Sequence, residues 1–96
     1  MTDAELSVVE DPEAMRYEAY VGTERAGFIQ YRREGDAIVM VHTEVDPRFE
    51  GRGVGTHLAK AALDDVRAKG DKLVVICPFI NRFIGDHPEY ADLVAG

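Results

Sequence analysis

The sequence predicts an α+β fold in which an antiparallel meander of strands is followed by a helix, a buried strand and short C-terminal helices. Short apolar stretches separated by turn residues fill the first half of the chain, which is typical of strands. From Val54 to Lys69 the apolar residues recur with the period of a helix. A continuous apolar run, Leu73 to Cys77, then predicts a strand buried on both faces.

The meander is expected to contain four strands. Each is rich in apolar and β-branched or aromatic residues, and tight turns at residues 11–13, 22–24 and 34–36 separate them. Strands that follow one another through such short turns pair antiparallel. Their predicted ranges are Leu6 to Glu10, Met15 to Val21, Ala26 to Arg33 and Ala37 to Val45.

The second half of the chain is predicted to be a crossover with a helical tail. Gly70 follows the last helical turn and is expected to end the helix. Pro78 is expected to end the buried strand. Beyond it, Phe79 to Gly85 and Pro88 to Val94 can each form about two helical turns.

Composition limits the classes of function. The chain has 96 residues, enough for one domain, and its net charge of −7 disfavours sequence-independent binding to nucleic acid or to anionic membranes. The acidic N-terminus and the absence of an apolar run near the roughly 18 residues of a spanning helix predict a cytoplasmic protein. Cys77 is the single cysteine, so neither an internal disulfide nor a zinc site is expected.

A glycine loop precedes the predicted helix. Gly51, Gly53 and Gly55 allow positive φ angles and close approach of a ligand, and the helix N-terminus favours an anion. Two nucleotide-binding motifs do not match. A P-loop needs Lys and then Ser or Thr after its last glycine, but Thr56 and His57 follow Gly55. The dinucleotide fingerprint needs a third glycine at the position that Thr56 occupies. A glycine-rich turn without a ligand is the alternative interpretation.

The segment from Glu50 to Gly55 resembles the pyrophosphate loop of the GCN5-related N-acetyltransferase (GNAT) superfamily, Gln/Arg-x-x-Gly-x-Gly/Ala. Both glycines match, whereas Glu50 stands where Gln or Arg is usual. The segments Val41-His42-Thr43-Glu44-Val45, Cys77-Pro78-Phe79 and His87-Pro88-Glu89-Tyr90 resemble minimal, stand-alone members of that superfamily.

The resemblance implies a GNAT-like fold in which residues 1–96 form a single acyl-CoA-binding domain, with acetyl-CoA as cosubstrate. The loop amides would hold the pyrophosphate, and Val45 would bond the pantetheine at a splay between the fourth and fifth strands. Asn81 and Arg82, which follow the buried strand, are further candidates for the adenosine end or the pantetheine. The predicted cofactor-binding residues are therefore Val45, Gly51, Arg52, Gly53, Val54, Gly55, Thr56, Asn81 and Arg82.

Strand alternation predicts that Met40, His42 and Glu44 share one face of the long strand. His42 or Glu44 would then serve as the general base for an acceptor amine, the alternative being an ordinary solvated strand face.

Cys77 has three possible roles: a buried structural residue, a contact to CoA, or a nucleophile that forms an acyl-Cys intermediate. The segment His87 to Tyr90 either attaches the C-terminus to the domain or lies near the acyl group.

The sequence thus predicts an acetyl-CoA-dependent N-acetyltransferase that acetylates an unidentified amine, directly or through acyl-Cys77. The alternative is a non-catalytic acyl-CoA-binding or interaction module. The expected partners are a small-molecule or peptide amine acceptor, with the acidic surface hinting at a basic one, and the expected state is a monomer or weak homodimer.

Overall fold

The computed structural model describes residues 5–94 and contains one five-stranded sheet in the order β1-β2-β3-β4-β5. The first four strands form an antiparallel meander, and β5 pairs parallel to β4. The strands are β1 Leu6–Asp11, β2 Arg16–Val21, β3 Glu24–Glu34, β4 Ala37–Val45 and β5 Lys72–Val75. The predicted α+β fold is confirmed. The outer ends of the predicted domain, with the acidic N-terminus, lie outside the described residues.

Two helices and two short 3-10 segments complete the fold. Helix α1, Val54–Lys69, has the predicted bounds and ends at Gly70, whose φ of 72° is left-handed. Helix α2, Pro78–Asp86, follows β5. The segments Pro47–Phe49 and Pro88–Leu93 are 3-10 helices. Among residues 5–94, no helix combines the length and apolar character that a membrane span requires.

Both helices contribute to one core on one face of the sheet. Buried side chains of α1 such as Leu58 and Leu63 pack in the same cluster as Ile29 and Met40 of the sheet. The α2 side chain Ile80 joins that cluster. The opposite face of the sheet, called the open face below, has no helix of the described chain packed on it.

The prediction that Leu73 to Cys77 is buried on both faces is wrong. Leu73 is fully buried in the core, but Val74 and Ile76 are 36% and 51% exposed. The reason is that β5 lies at the edge of a sheet whose helices cover one face. A continuous apolar run therefore does not require burial on both sides here.

A β-bulge interrupts β4 beside the site. Gln30 pairs with His42 and Tyr31 pairs with Met40, so Val41 is an additional residue in the strand. A bulge reverses the alternation of side chains beyond it. Met40 is therefore buried in the core, whereas His42 is exposed on the open face, and the prediction that they share a face is wrong. Simple alternation does not hold across a bulge.

Strands β4 and β5 separate directly at this bulge. Their register ends at the pair Met40 and Val75, and the N–H groups of Ile76 and Cys77 both donate to the Met40 carbonyl, at 2.9 and 3.1 Å. The chain then turns into α2 at Pro78. Among residues 5–94, no strand pairs with the second half of β4 on its β5 side, which is the splay that the resemblance implies.

Candidate functional site

The start of α1, directly after the glycine loop, has N–H groups without an acceptor among the residues that the structure describes. Gly53 is the N-cap residue with a left-handed φ of 76°, and no side chain of the described part of the chain caps the helix. The first intrahelical bond runs from the His57 N–H to the Gly53 carbonyl at 3.0 Å. The N–H groups of Val54, Gly55 and Thr56 therefore have no acceptor within the helix. Three aligned donors at the positive end of a helix suit an anionic oxygen group.

These donors adjoin a cleft of about 260 Å³. The lining residues come from the end of β4, the glycine loop and the start of α2: Val45, Phe49, Glu50, Gly51, Gly53, Val54, Gly55, Thr56 and Phe79. Six of the nine predicted cofactor-binding residues thus meet in one cavity, which we call the glycine-loop cleft.

The remaining three predicted residues are placed differently. Arg52 stacks its guanidinium over the Phe49 ring, 5.5 Å from the centroid, beside the cleft. Asn81 and Arg82 are exposed on α2 and are not among the residues that line the glycine-loop cleft. Their assignment stays a prediction.

Phe79 is a site residue that the sequence analysis missed. A Cβ at position 55 would lie 2.8 Å from the Phe79 ring, so the ring would have to shift if Gly55 were replaced, and no positive φ angle is involved at this glycine. The ring is 36% exposed and forms one wall of the cleft. In the sequence, only its position directly after Pro78 could have indicated this role. An aromatic residue at the start of a helix is ordinarily assigned to the hydrophobic core.

The free edge of β4 borders the same cleft. The Asp46 N–H donates to the Ala26 carbonyl at 2.7 Å, so the backbone groups of Asp46 point towards β3. Because successive residues of a strand direct these groups to opposite sides, those of Val45 and Thr43 point towards the splay. An extended, amide-containing ligand can pair with this edge.

Cys77 is buried on the helix side of the sheet. The residue is 2% exposed, and its sulfur lies 3.2 Å from the Thr43 hydroxyl. Cys77 is also the residue before the first turn of α2. Of the three possible roles of Cys77, this geometry favours that of a buried structural residue.

His42 and Glu44 lie on the open face, opposite to Cys77. The His42 Nε2 and a Glu44 oxygen are 3.3 Å apart, and the two side chains are 59% and 66% exposed. The Phe28 ring approaches His42 edge-on, with centroids 6.1 Å apart. Both groups can accept a proton, and they are within hydrogen-bond reach of each other.

A larger groove, of about 630 Å³, lies between the start of β3 and the end of β4. Residues 24–28 and 44–48 line it, and Val45 also lines the glycine-loop cleft. We call this cavity the β3–β4 groove. The end of β4 thus separates two cavities, one bounded by the glycine loop and one bounded by Phe28 and Glu44.

The C-terminal His-Pro-Glu-Tyr segment attaches the chain to α1. Tyr90 is 4% exposed and its hydroxyl donates to Asp64 at 2.7 Å. Burial, and then this hydrogen bond, raise the pKa of Tyr90. His87 stacks on Phe83 with centroids 4.0 Å apart. These contacts favour the structural interpretation of the segment.

The chain is similar in sequence to known proteins. The curated relatives include Protein NATD1 of Bos taurus, 42% identical over 59 residues that cover 60% of this chain and 52% of the relative. Protein NATD1 of Homo sapiens is 41% identical over 59 residues, with coverage of 60% and 52%. The match spans about half the length of these relatives.

Solved structures share the fold. A GCN5-like putative N-acetyltransferase from Staphylococcus aureus superposes with a TM-score of 0.69 at 24% identity, covering 100% of this chain and 92% of its own. Ard1 from Thermoplasma volcanium gives a TM-score of 0.57 at 26% identity, with coverage of 69% and 45%. The model of the GCN5-related N-acetyltransferase family matches residues 16–93. The chain therefore belongs to the GCN5-related N-acetyltransferase family.

Proposed function

We propose that the protein is an acetyl-CoA-dependent N-acetyltransferase that transfers the acetyl group directly to an amine. The observation that carries this proposal is the set of three unpaired N–H groups at the start of α1, beside the free edge of β4. The N–H groups would bind a diphosphate group, and the free strand edge would pair with the amide-containing pantetheine arm. The two lie in one cleft because Val45, the last residue of β4, and the glycine loop both line it.

The described residues fit acetyl-CoA. The amides of Val54, Gly55 and Thr56 would bind the pyrophosphate, and indifference of backbone donors to side-chain type explains why Glu50 is tolerated. The backbone of Thr43 and Val45 would pair with pantetheine. When bound, acetyl-CoA supplies a thioester, which is activated towards attack by an amine.

The His42–Glu44 pair would take the proton from the acceptor. As the amine nitrogen bonds to the acetyl carbon, the carbon–sulfur bond breaks, and CoA leaves as a thiolate that takes up a proton. The nitrogen loses one proton, which the pair accepts. Both side chains are exposed on the open face, so they can receive an acceptor from solvent.

The placement of Cys77 argues against an acyl-Cys intermediate. Its thiol is buried on the helix side of the sheet, whereas His42 and Glu44 lie on the opposite face. A covalent route would need a base beside the thiol, and its close polar neighbour is the Thr43 hydroxyl.

The two routes are separated by intact-mass measurement after incubation with acetyl-CoA. We expect no acetyl adduct on Cys77, and we expect Cys77→Ala to retain CoA release with a responsive amine. Cys77→Ser, which keeps a polar atom beside Thr43, is the matched control. An adduct that is absent from Cys77→Ala, with loss of turnover in that variant, would show the covalent route instead.

A non-catalytic acyl-CoA-binding module is the second candidate. The exposure of the open face favours it, because no helix of the described chain encloses the acceptor there. Both candidates predict that acetyl-CoA raises the melting temperature. An enzyme would release CoA when an amine is added. The double variant His42→Gln/Glu44→Gln should lose this release while it still binds acetyl-CoA.

A further inference from the structure

We propose that the β3–β4 groove binds the acceptor, and that this acceptor is a small amine that also carries a carboxylate. The inference rests on the proposed acetyltransferase function and names the substrate class of that site. The groove volume of about 630 Å³ is within the range of small-molecule sites. Its charges, taken pair by pair, indicate which ligand chemistry is complementary.

Near Pro47, the groove is lined by charged side chains that pair with one another. Arg48 contacts Glu24 at 2.9 Å and Asp46 at 3.1 Å. The Arg48 side chain lowers the pKa of Asp46 through its hydrogen bond. One cation and two anions that are already bound to each other leave this part of the groove slightly negative.

Arg25 supplies a cation that is only weakly paired. Glu18, which is 7% exposed at its side chain, takes two contacts from Arg16, at 3.0 and 2.8 Å, and one from the Tyr20 hydroxyl at 3.0 Å. Arg25 reaches the same carboxylate at 3.4 Å, and its side chain is 44% exposed. The guanidinium also lies 5.4 Å from the centre of the Phe28 ring. One end of the groove therefore offers a guanidinium with free donors.

Glu44 supplies an anion without an arginine partner among the described residues. It contacts His42 at 3.3 Å, and 66% of its side chain is exposed. Glu44 is the cross-strand partner of Phe28 in the β3–β4 ladder. The Glu44 carboxylate and the Phe28 ring thus line the same groove as Arg25, whose guanidinium lies over that ring together with the guanidinium of Arg16, 5.6 Å from the ring centre.

A ligand complementary to this arrangement has an ammonium group, a short apolar body and a carboxylate. The ammonium would lie at Glu44, beside the His42–Glu44 pair, and the carboxylate would pair with Arg25. The ammonium loses one proton to solvent before its nitrogen attacks, and the pair accepts the second proton as the amide forms. A second ammonium group in the place of that carboxylate would lie beside Arg25, which like-charge repulsion disfavours. An aliphatic amino acid fits the groove better than a purely basic acceptor.

The test is calorimetric binding of three probes that differ by one charged group: 4-aminobutyrate, butylamine and butyrate. Measurements are made with and without CoA, so that amine binding is scored independently of CoA binding. We expect 4-aminobutyrate to bind roughly tenfold or more tightly than either probe, the effect of one additional charged hydrogen bond. Spermidine serves as the purely basic comparison.

Two variants and a control make the assignment specific. Arg25→Gln should remove the preference over butylamine, and Glu44→Gln should remove the preference over butyrate. Arg32→Gln, whose side chain pairs with Glu34 at the other end of β3, should change neither preference. Butylamine or spermidine binding as tightly as 4-aminobutyrate, or an unchanged preference in Arg25→Gln, would overturn the proposal. Failure of CoA to bind would instead count against the acetyltransferase function, whatever the amine results.

Discussion

Replacing Gly53 with alanine tests the glycine-loop cleft against a matched position in the same helix. Gly53 begins α1 with a φ of 76°, and Gly70 ends it with a φ of 72°. A Cβ at either position meets nothing within 4 Å. The two substitutions therefore share the same backbone strain without steric contacts, but only Gly53 adjoins the cleft.

The expected loss of stability is the same for both variants. A left-handed conformation costs a residue with a Cβ about 1–2 kcal/mol. In a domain of this size each kcal/mol lowers the melting temperature by roughly 4–8 °C. Thermal unfolding without ligand measures this intrinsic cost in each variant and sets the reference for the binding experiment.

Ligand-induced stabilisation is expected to differ between them. At 100 times the dissociation constant, acetyl-CoA stabilises the wild type by about 2.7 kcal/mol. Relaxed strain at Gly53 would misalign at least one amide donor, and a hydrogen bond to a charged group contributes about 1.5 kcal/mol or more. A tenfold weaker affinity leaves about 1.4 kcal/mol of stabilisation at the same concentration, so the rise in melting temperature falls by about half.

Gly70→Ala should keep the full rise. Equal losses of ligand-induced stabilisation in the two variants would mean that strain in α1, and not the loop amides, controls binding. An undiminished rise in Gly53→Ala would place the pyrophosphate elsewhere. Either result would refute the role given to the glycine loop.

Three further substitutions test individual contacts. Gly55→Ala places a Cβ 2.8 Å from the Phe79 ring, so it should lower the melting temperature and weaken acetyl-CoA binding. Adding Phe79→Ala to the same chain removes this contact and should restore part of the lost melting temperature, as measured by thermal unfolding. Gly27→Ala places its Cβ 2.6 Å from a backbone carbonyl of β4 and should destabilise the domain by roughly 2 kcal/mol or more in urea unfolding, because neither strand can shift freely. A loss as small as that of an exposed substitution would show that the strands separate easily. Burial, and then the hydrogen bond to Glu10, raise the pKa of Tyr31 from 10.0 to about 12, which favours the neutral phenol in the folded state. Its contribution to stability is therefore present below pH 10 and is lost as the pH rises towards 12, so the difference in unfolding free energy between the wild type and Tyr31→Phe should shrink over that interval. A difference independent of pH would contradict the raised pKa.

Local patterns in the sequence determined most of the architecture. The four strands, the bounds of α1 and its glycine stop depend on periodicity and turn residues, which act over a few neighbouring positions. The glycine loop was found in the same way, because positive φ angles at Gly51 and Gly53 are a local requirement.

The tertiary structure decided how these pieces combine into a site. The bulge at Val41 reverses the side-chain alternation, and it places Met40 in the core and His42 on the open face. No local pattern encodes a bulge, since it arises from the register between two strands. Phe79 at the wall of the cleft is likewise set by packing between α1 and α2.

The sequence by itself determined the fold class, the glycine loop and the kind of cosubstrate to expect, because these depend on short-range backbone requirements and on a motif. Only the tertiary structure decided that Cys77 and the His42–Glu44 pair lie on opposite faces of one sheet, and that a groove beside Phe28 carries Arg25 and Glu44. The physical reason is that the face of a side chain and its ionic partners are fixed by strand register and by contacts between residues far apart in the chain.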